Sequence, residues 1–144
     1  MSPVQKTIWI DAPMDIVHSY FTDGDKMAQW AGRAATLEPR PGGLYRLDMG
    51  AGGVIEGQFL EVTATRIVQR VGTQETTGTF RIVITLSPEA TGTRVDITHE
   101  GLVPPFSQIA ARGWDHHLAR LSVVANGGTV GPDSLCDKPM QDLA

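Results

Sequence analysis

The feature that most constrains this chain is a change of period along it. Between residues 36 and 99 apolar and polar side chains alternate in short runs broken by Gly and Pro. Tyr45, Leu47 and Met49 alternate with Arg46 and Asp48, and Phe80, Ile82, Ile84 and Leu86 do so with Arg81, Val83 and Thr85. A period of two is the mark of a strand with one buried face. The runs 36–39, 44–49, 54–62, 66–71, 79–86 and 94–99 are separated by turn residues that include Gly42, Gly43, Gly50, Gly52, Gly72, Gly78, Pro88 and Gly92, as an antiparallel meander requires. Val4 to Asp11 adds a strand at the start, with Lys6 breaking its apolar face.

After Pro104-Pro105 the period becomes helical. Ser107 is the expected N-cap, and Ala111, Trp114, Leu118, Leu121 and Ala125 form one stripe at 100° per residue. Gly127-Gly128 ends the helix. Two short helices are expected between the first and second strands. One opens at Ala12-Pro13, and the other spans Asp25 to Trp30. A sheet of this length has one face to cover, and the last helix is the only large amphipathic element able to cover it. The expected fold is therefore α+β, a curved antiparallel sheet wrapped around a long C-terminal helix, with two short helices at one end. Residues 1–128 form that single domain. Residues 129–144, polar and without periodicity, read as a loosely held, flexible tail.

Charge and cysteine content exclude several functions. The 144 residues carry 12 Lys and Arg against 16 Asp and Glu, with no dense basic run, so nucleic acid and anionic membranes are poor partners. No apolar stretch approaches the ~20 residues of a membrane span. Met1 to Ile10 lacks the apolar core of a signal peptide, so a cytoplasmic location is expected. Cys136 is the single cysteine, which excludes an intramolecular disulfide and a multi-cysteine zinc site. A monomer or homodimer is expected.

The order of elements and several motifs resemble the START-like (SRPBCC) superfamily, and within it the family named for the activator of the heat-shock-protein-90 ATPase. The resemblance rests on Ala12-Pro13, Trp30, the stretch from Leu37 to Gly43, Glu56 to Val62, Gly92 to His99, and Gly113-Trp114 followed by Leu118 and Leu121. It covers about residues 4–127. Where the family often carries a second aromatic after Trp30, this chain has Ala31, which either widens one end of a cavity or reflects different packing. The resemblance implies a helix-grip fold. It leaves function open, because the superfamily houses lipid carriers, cyclases and co-chaperone domains.

The residues themselves support a site between sheet and helix. Trp30, Tyr45, Phe59 and Trp114 fall on expected inner faces, and with Leu47, Ile82, Ile84, Leu118 and Leu121 they form either an apolar pocket or a packed core. His99 shares the face of Val95 and Ile97 and should point inward, with His117 at the mouth. These two either meet a ligand or sit apart, one bonded within the core and one at a helix edge. Glu61 shares strand parity with Phe59, so it either enters the cavity opposite His99 or lies outside, pairing with Arg66 or Arg70. If the chain is an enzyme, its acid–base candidates are His99, Glu61 and Tyr45. His116 and His117 are adjacent on a helix and should diverge by 100°, with His116 facing solvent. No metal site and no cofactor are expected. Three functions follow: a binding module for a hydrophobic small molecule, lipid-like or aromatic; a cyclase, dehydratase or hydrolase using the same cavity; and, from the resemblance alone, a domain acting on a chaperone ATPase.

Overall fold

The computed structural model describes residues 3–73 and 79–137. The expected turn at Gly78 lies outside the described residues. Seven strands form one sheet: β1 (Val4–Ile10), β2 (Ala34–Leu37), β3 (Leu44–Asp48), β4 (Val54–Val62), β5 (Arg66–Gly72), β6 (Phe80–Glu89) and β7 (Gly92–Glu100). The order across the sheet is β1-β7-β6-β5-β4-β3-β2, and every neighbouring pair is antiparallel. β2 to β7 thus form a continuous meander, and β1 closes its far edge against β7. Between β1 and β2 lie α1 (Met14–Thr22) and the single-turn α2 (Gly24–Met27). The long helix α3 (Phe106–Ala125) follows β7. This is the α+β helix-grip arrangement that the change of period implies.

The alternation places the core directly. Ile67, Gln69 and Val71 of β5, Phe80, Ile82, Ile84 and Leu86 of β6, and Val95, Ile97 and His99 of β7 are all buried. From α3, Leu118, Leu121 and Val124 are buried in the same core. Each large apolar side chain so buried contributes about 1.5–3 kcal/mol. Lys6 stands on the inward parity of β1, but β1 is an edge strand. Its ammonium reaches Asp115 of α3 at 2.9 Å, which explains the break in an otherwise apolar face.

Local details differ from the sequence reading. α3 begins two residues early, with Pro105 at its N-cap, and Ser107 Oγ donates to Gln108 Oε1 instead of capping the helix. Pro13 occupies the N-cap of α1. Gly57 lies so close to the Arg70 carbonyl of β5 that a side chain there would collide with it. The register of β4 against β5 slips between Phe59 and Glu61. That slip inverts strand parity. Ile55 and Phe59 face inward before it, and Val62 packs on the core after it.

The expectation of a loose tail from residue 129 is corrected for residues 129–137. Val130 packs on the core, a 3-10 turn runs from Ser134 to Asp137, and Asp133 and Cys136 are buried. The segment lacks periodicity because its anchors are a carboxylate and a thiol, not an apolar stripe. Residues 138–144 of the expected tail lie outside the described residues.

Candidate functional site

Sheet and α3 do not close completely upon each other. Between them, toward the α2 end, lies a cavity of about 150 Å³. Its wall draws on β3, β5, β6 and β7, on the start of α3, and on the turn after α2. Of the residues expected there, Trp30, Tyr45, Leu47, Ile82, Ile84, His99, Trp114 and His117 line it. Phe59, Leu118 and Leu121 do not; they are buried in the packed core next to it. Phe59 meets Tyr45 edge-on at 5.7 Å, so it supports the wall from behind. Ala31 lines the cavity beside Trp30, where a larger aromatic would fill space.

Trp30 is fixed by two contacts. Its ring packs edge-on against Phe21 at 5.3 Å, and its indole N–H donates to the Tyr20 carbonyl at 3.0 Å. Trp114 donates its Nε1–H to His99 Nδ1 at 3.0 Å. An accepting Nδ1 requires the neutral ring to carry its proton on Nε2. That Nε2 has no partner among the described residues. Burial pushes His99 down to about 4, so at neutral pH the ring is uncharged and its Nε2–H is a free donor. Phe80 covers the ring, with centroids 4.6 Å apart.

Gln69 was not among the residues the sequence pointed to, although its parity with Ile67 and Val71 signals it. It is buried, lines the cavity, and its side chain hydrogen-bonds Tyr45. Its Oε1 has no partner among the described residues, so the bond to Tyr45 is made by the amide N–H. The Tyr45 hydroxyl in turn approaches Met27 Sδ at 3.8 Å. Burial raises the Tyr45 phenol to about 12, which keeps it un-ionised near neutrality. Ile82 pairs in register with both Gln69 and His99. The unpaired acceptor and donor therefore stand two strands apart, roughly 10 Å between backbones, with Ile82 between them.

The acid–base pairing of His99 with Glu61 is excluded. Glu61 follows the register slip, so it points outward and lies 3.3 Å from Arg66, both side chains well exposed. The expectation that His116 and His117 diverge is also corrected. Their ring centroids are 4.9 Å apart, and both converge on Asp133. His116 Nε2 donates to Oδ1 at 2.9 Å and His117 Nε2 to Oδ2 at 2.6 Å. The Gly32 and Leu135 amides donate to the same carboxylate. These bonds, led by the one from His117, outweigh desolvation and hold Asp133 well below the usual carboxylate range. The residue was missed because it lies beyond the last periodic element. Leu135, two residues on, lines the cavity.

No helix among the described residues is long and apolar enough to cross a membrane. No curated protein matches the sequence. Solved structures match the fold at low identity. DynU16, from the dynemicin biosynthetic locus, superposes with a TM-score of 0.79 at 22% identity, over 90% of this chain and 49% of its own. The chain thus spans about half the length of that protein. The Aha1 dimer from Colwellia psychrerythraea superposes with a TM-score of 0.79 at 16% identity, over 89% of this chain and 98% of that one. PFC0360w, an HSP90 activator from Plasmodium falciparum, does so with a TM-score of 0.76 at 19% identity, over 88% and 97%. The family model described as Activator of Hsp90 ATPase homolog 1-like protein matches residues 11–126. With that match over most of its length, and the helix-grip architecture to go with it, the chain belongs to the family of Activator of Hsp90 ATPase homolog 1-like proteins.

Proposed function

We propose that the protein binds a compact hydrophobic small molecule between the sheet and α3. The observation that carries this reading is the pair of buried polar atoms without partners among the described residues, His99 Nε2–H and Gln69 Oε1, on a largely apolar wall. A buried donor or acceptor left unpaired costs about 1–3 kcal/mol, and native structures seldom keep one without a reason. A ligand with an acceptor at one end and a donor at the other, a hydroxylated aromatic carbonyl compound for example, satisfies both. A cavity near 150 Å³ suits about one aromatic ring. Binding then draws on burial of the ring, and the two hydrogen bonds set its direction.

Support also comes from the structurally similar DynU16, which lies in the dynemicin biosynthetic locus. Trp114, bonded to His99, is a built-in reporter. Titration with a panel of hydroxylated monocyclic carbonyl compounds should quench tryptophan fluorescence and give a one-to-one mass shift under native conditions. His99→Leu and Gln69→Leu should each weaken binding roughly 3- to 10-fold, the worth of one hydrogen bond. Absence of any quench or mass shift across the panel, or an affinity in both variants equal to that of the unaltered chain, overturns the reading.

A further inference from the structure

We propose that His116, His117 and Asp133 form a binding site for a divalent transition-metal ion of the zinc class. Two imidazoles and one carboxylate are a donor set that such ions favour. Here the three offer ligand atoms that all lie within 4.8 Å of one another. Two of the three come from adjacent positions on α3, and the third returns from the segment after the helix.

The geometry is close to what a metal requires. Two donors on a tetrahedral ion, each at about 2.1 Å, stand roughly 3.4 Å apart. The present nitrogen–oxygen separations are 2.9 and 2.6 Å. An ion bound to both Nε2 atoms, with the ring protons moved to Nδ1, needs each nitrogen–oxygen pair to part by less than an ångström and the widest pair of donor atoms, now within 4.8 Å, to close toward that same spacing. The carboxylate is also held as metal-binding carboxylates are, by hydrogen bonds from outside the donor set. The Gly32 amide reaches Oδ2 at 3.2 Å and the Leu135 amide reaches Oδ1 at 3.1 Å.

Those two amides already satisfy one lone pair on each oxygen. A single imidazole would suffice to tie the segment to α3, yet both converge on the one carboxylate. The His116 side chain is 30% exposed, so an ion can enter from solvent without opening the core. The three side chains leave a fourth position for water or an outside ligand. Filling the site fastens residues 131–137 to α3. Because Leu135 and His117 are both part of the cavity wall, it also fixes that side of the wall.

Cobalt(II) is the probe, added to the full chain freed of any affinity tag. The expected result is a one-to-one rise in the visible absorption of four-coordinate cobalt, abolished by competing zinc, and a higher melting temperature with zinc. His116→Ala keeps the bond between His117 and Asp133 and should fold. It should bind cobalt at least 10- to 100-fold more weakly, since even outer-shell partners are worth that much. Asp133→Asn, confirmed folded by circular dichroism, should do likewise. His18→Ala, on another surface, should bind as the unaltered chain does. A spectrum that stays that of the hydrated ion overturns the proposal, as does cobalt binding unchanged in His116→Ala.

Discussion

The molecule holds its inward histidines in two opposite ways. His99 stands in the cavity wall with one hydrogen-bond partner, Trp114, and one ring nitrogen that has none among the described residues. His117, with His116 beside it, is tied to a carboxylate that two backbone amides also hold. The first arrangement leaves hydrogen-bonding capacity open, and the second uses it up. Both sit against the same cavity. The difference separates a wall meant to meet something from a fastening that holds the wall in place, and each half of that contrast can be broken by experiment.

The largest effect is expected at the fastening. Asp133→Ala leaves two imidazole N–H groups and two amides without their acceptor in a buried setting, since the Asp133 side chain is 1% exposed. Removing one member of a buried charged network costs about 3–5 kcal/mol. Urea unfolding should show that loss, and hydrogen exchange should show residues 131–137 opening. A loss below ~1 kcal/mol would mean that the segment is held by Val130 and Cys136 packing instead, and the contrast between the two histidine sites would collapse.

The next effect belongs to His99. Its pKa falls from 6.5 in the unfolded chain to about 4 in the folded one. Between those values the unfolded chain binds a proton that the folded one does not. Stability is therefore full above pH 6.5 and declines as pH falls toward 4, by about 3 kcal/mol in all. His99→Leu should remove that part of the pH slope while the rest persists. If the slope is unchanged in the variant, His99 is solvated in the native state, and the free-donor reading of its Nε2 fails.

How much of this was legible beforehand follows from what kind of signal each residue leaves. The sheet, the long helix and the inward position of His99 and Trp114 came from period alone, because burial on one face leaves an alternation that survives in a single sequence. Glu61 shows the limit. One slip of register between Phe59 and Glu61 reverses parity, and nothing in the residues 54–62 marks where it falls. Phe59 and Leu118 show another: inward parity says that a side chain is buried, not whether it faces packed atoms or open space. Asp133 was out of reach for a different reason. Its role depends on a return of the chain to α3 after the last periodic element, and a lone aspartate in a Gly- and Pro-containing stretch reads as solvent-exposed loop. Gln69 was legible, since its neighbours two positions away on either side are apolar, but a polar residue on an inward face is easily passed over in favour of the aromatics.

Gln69 also supplies the smallest expected effect and the finest test of the contrast. Gln69→Leu removes the unpaired Oε1 and replaces it with a side chain of similar size. It also withdraws the amide N–H from Tyr45, whose hydroxyl keeps its contact with Met27. Relief of a buried unpaired acceptor and loss of one hydrogen bond each amount to about 1 kcal/mol with opposite sign. The net change in unfolding free energy should therefore lie within ~1 kcal/mol of zero, far below that of Asp133→Ala, although both residues are buried and polar. Such near-neutrality is what a group kept for a ligand predicts, since the empty protein gains little from it. A loss above ~2 kcal/mol would show that Gln69 is as much a structural member as Asp133, and that the open hydrogen-bonding capacity of the wall resides in His99 alone.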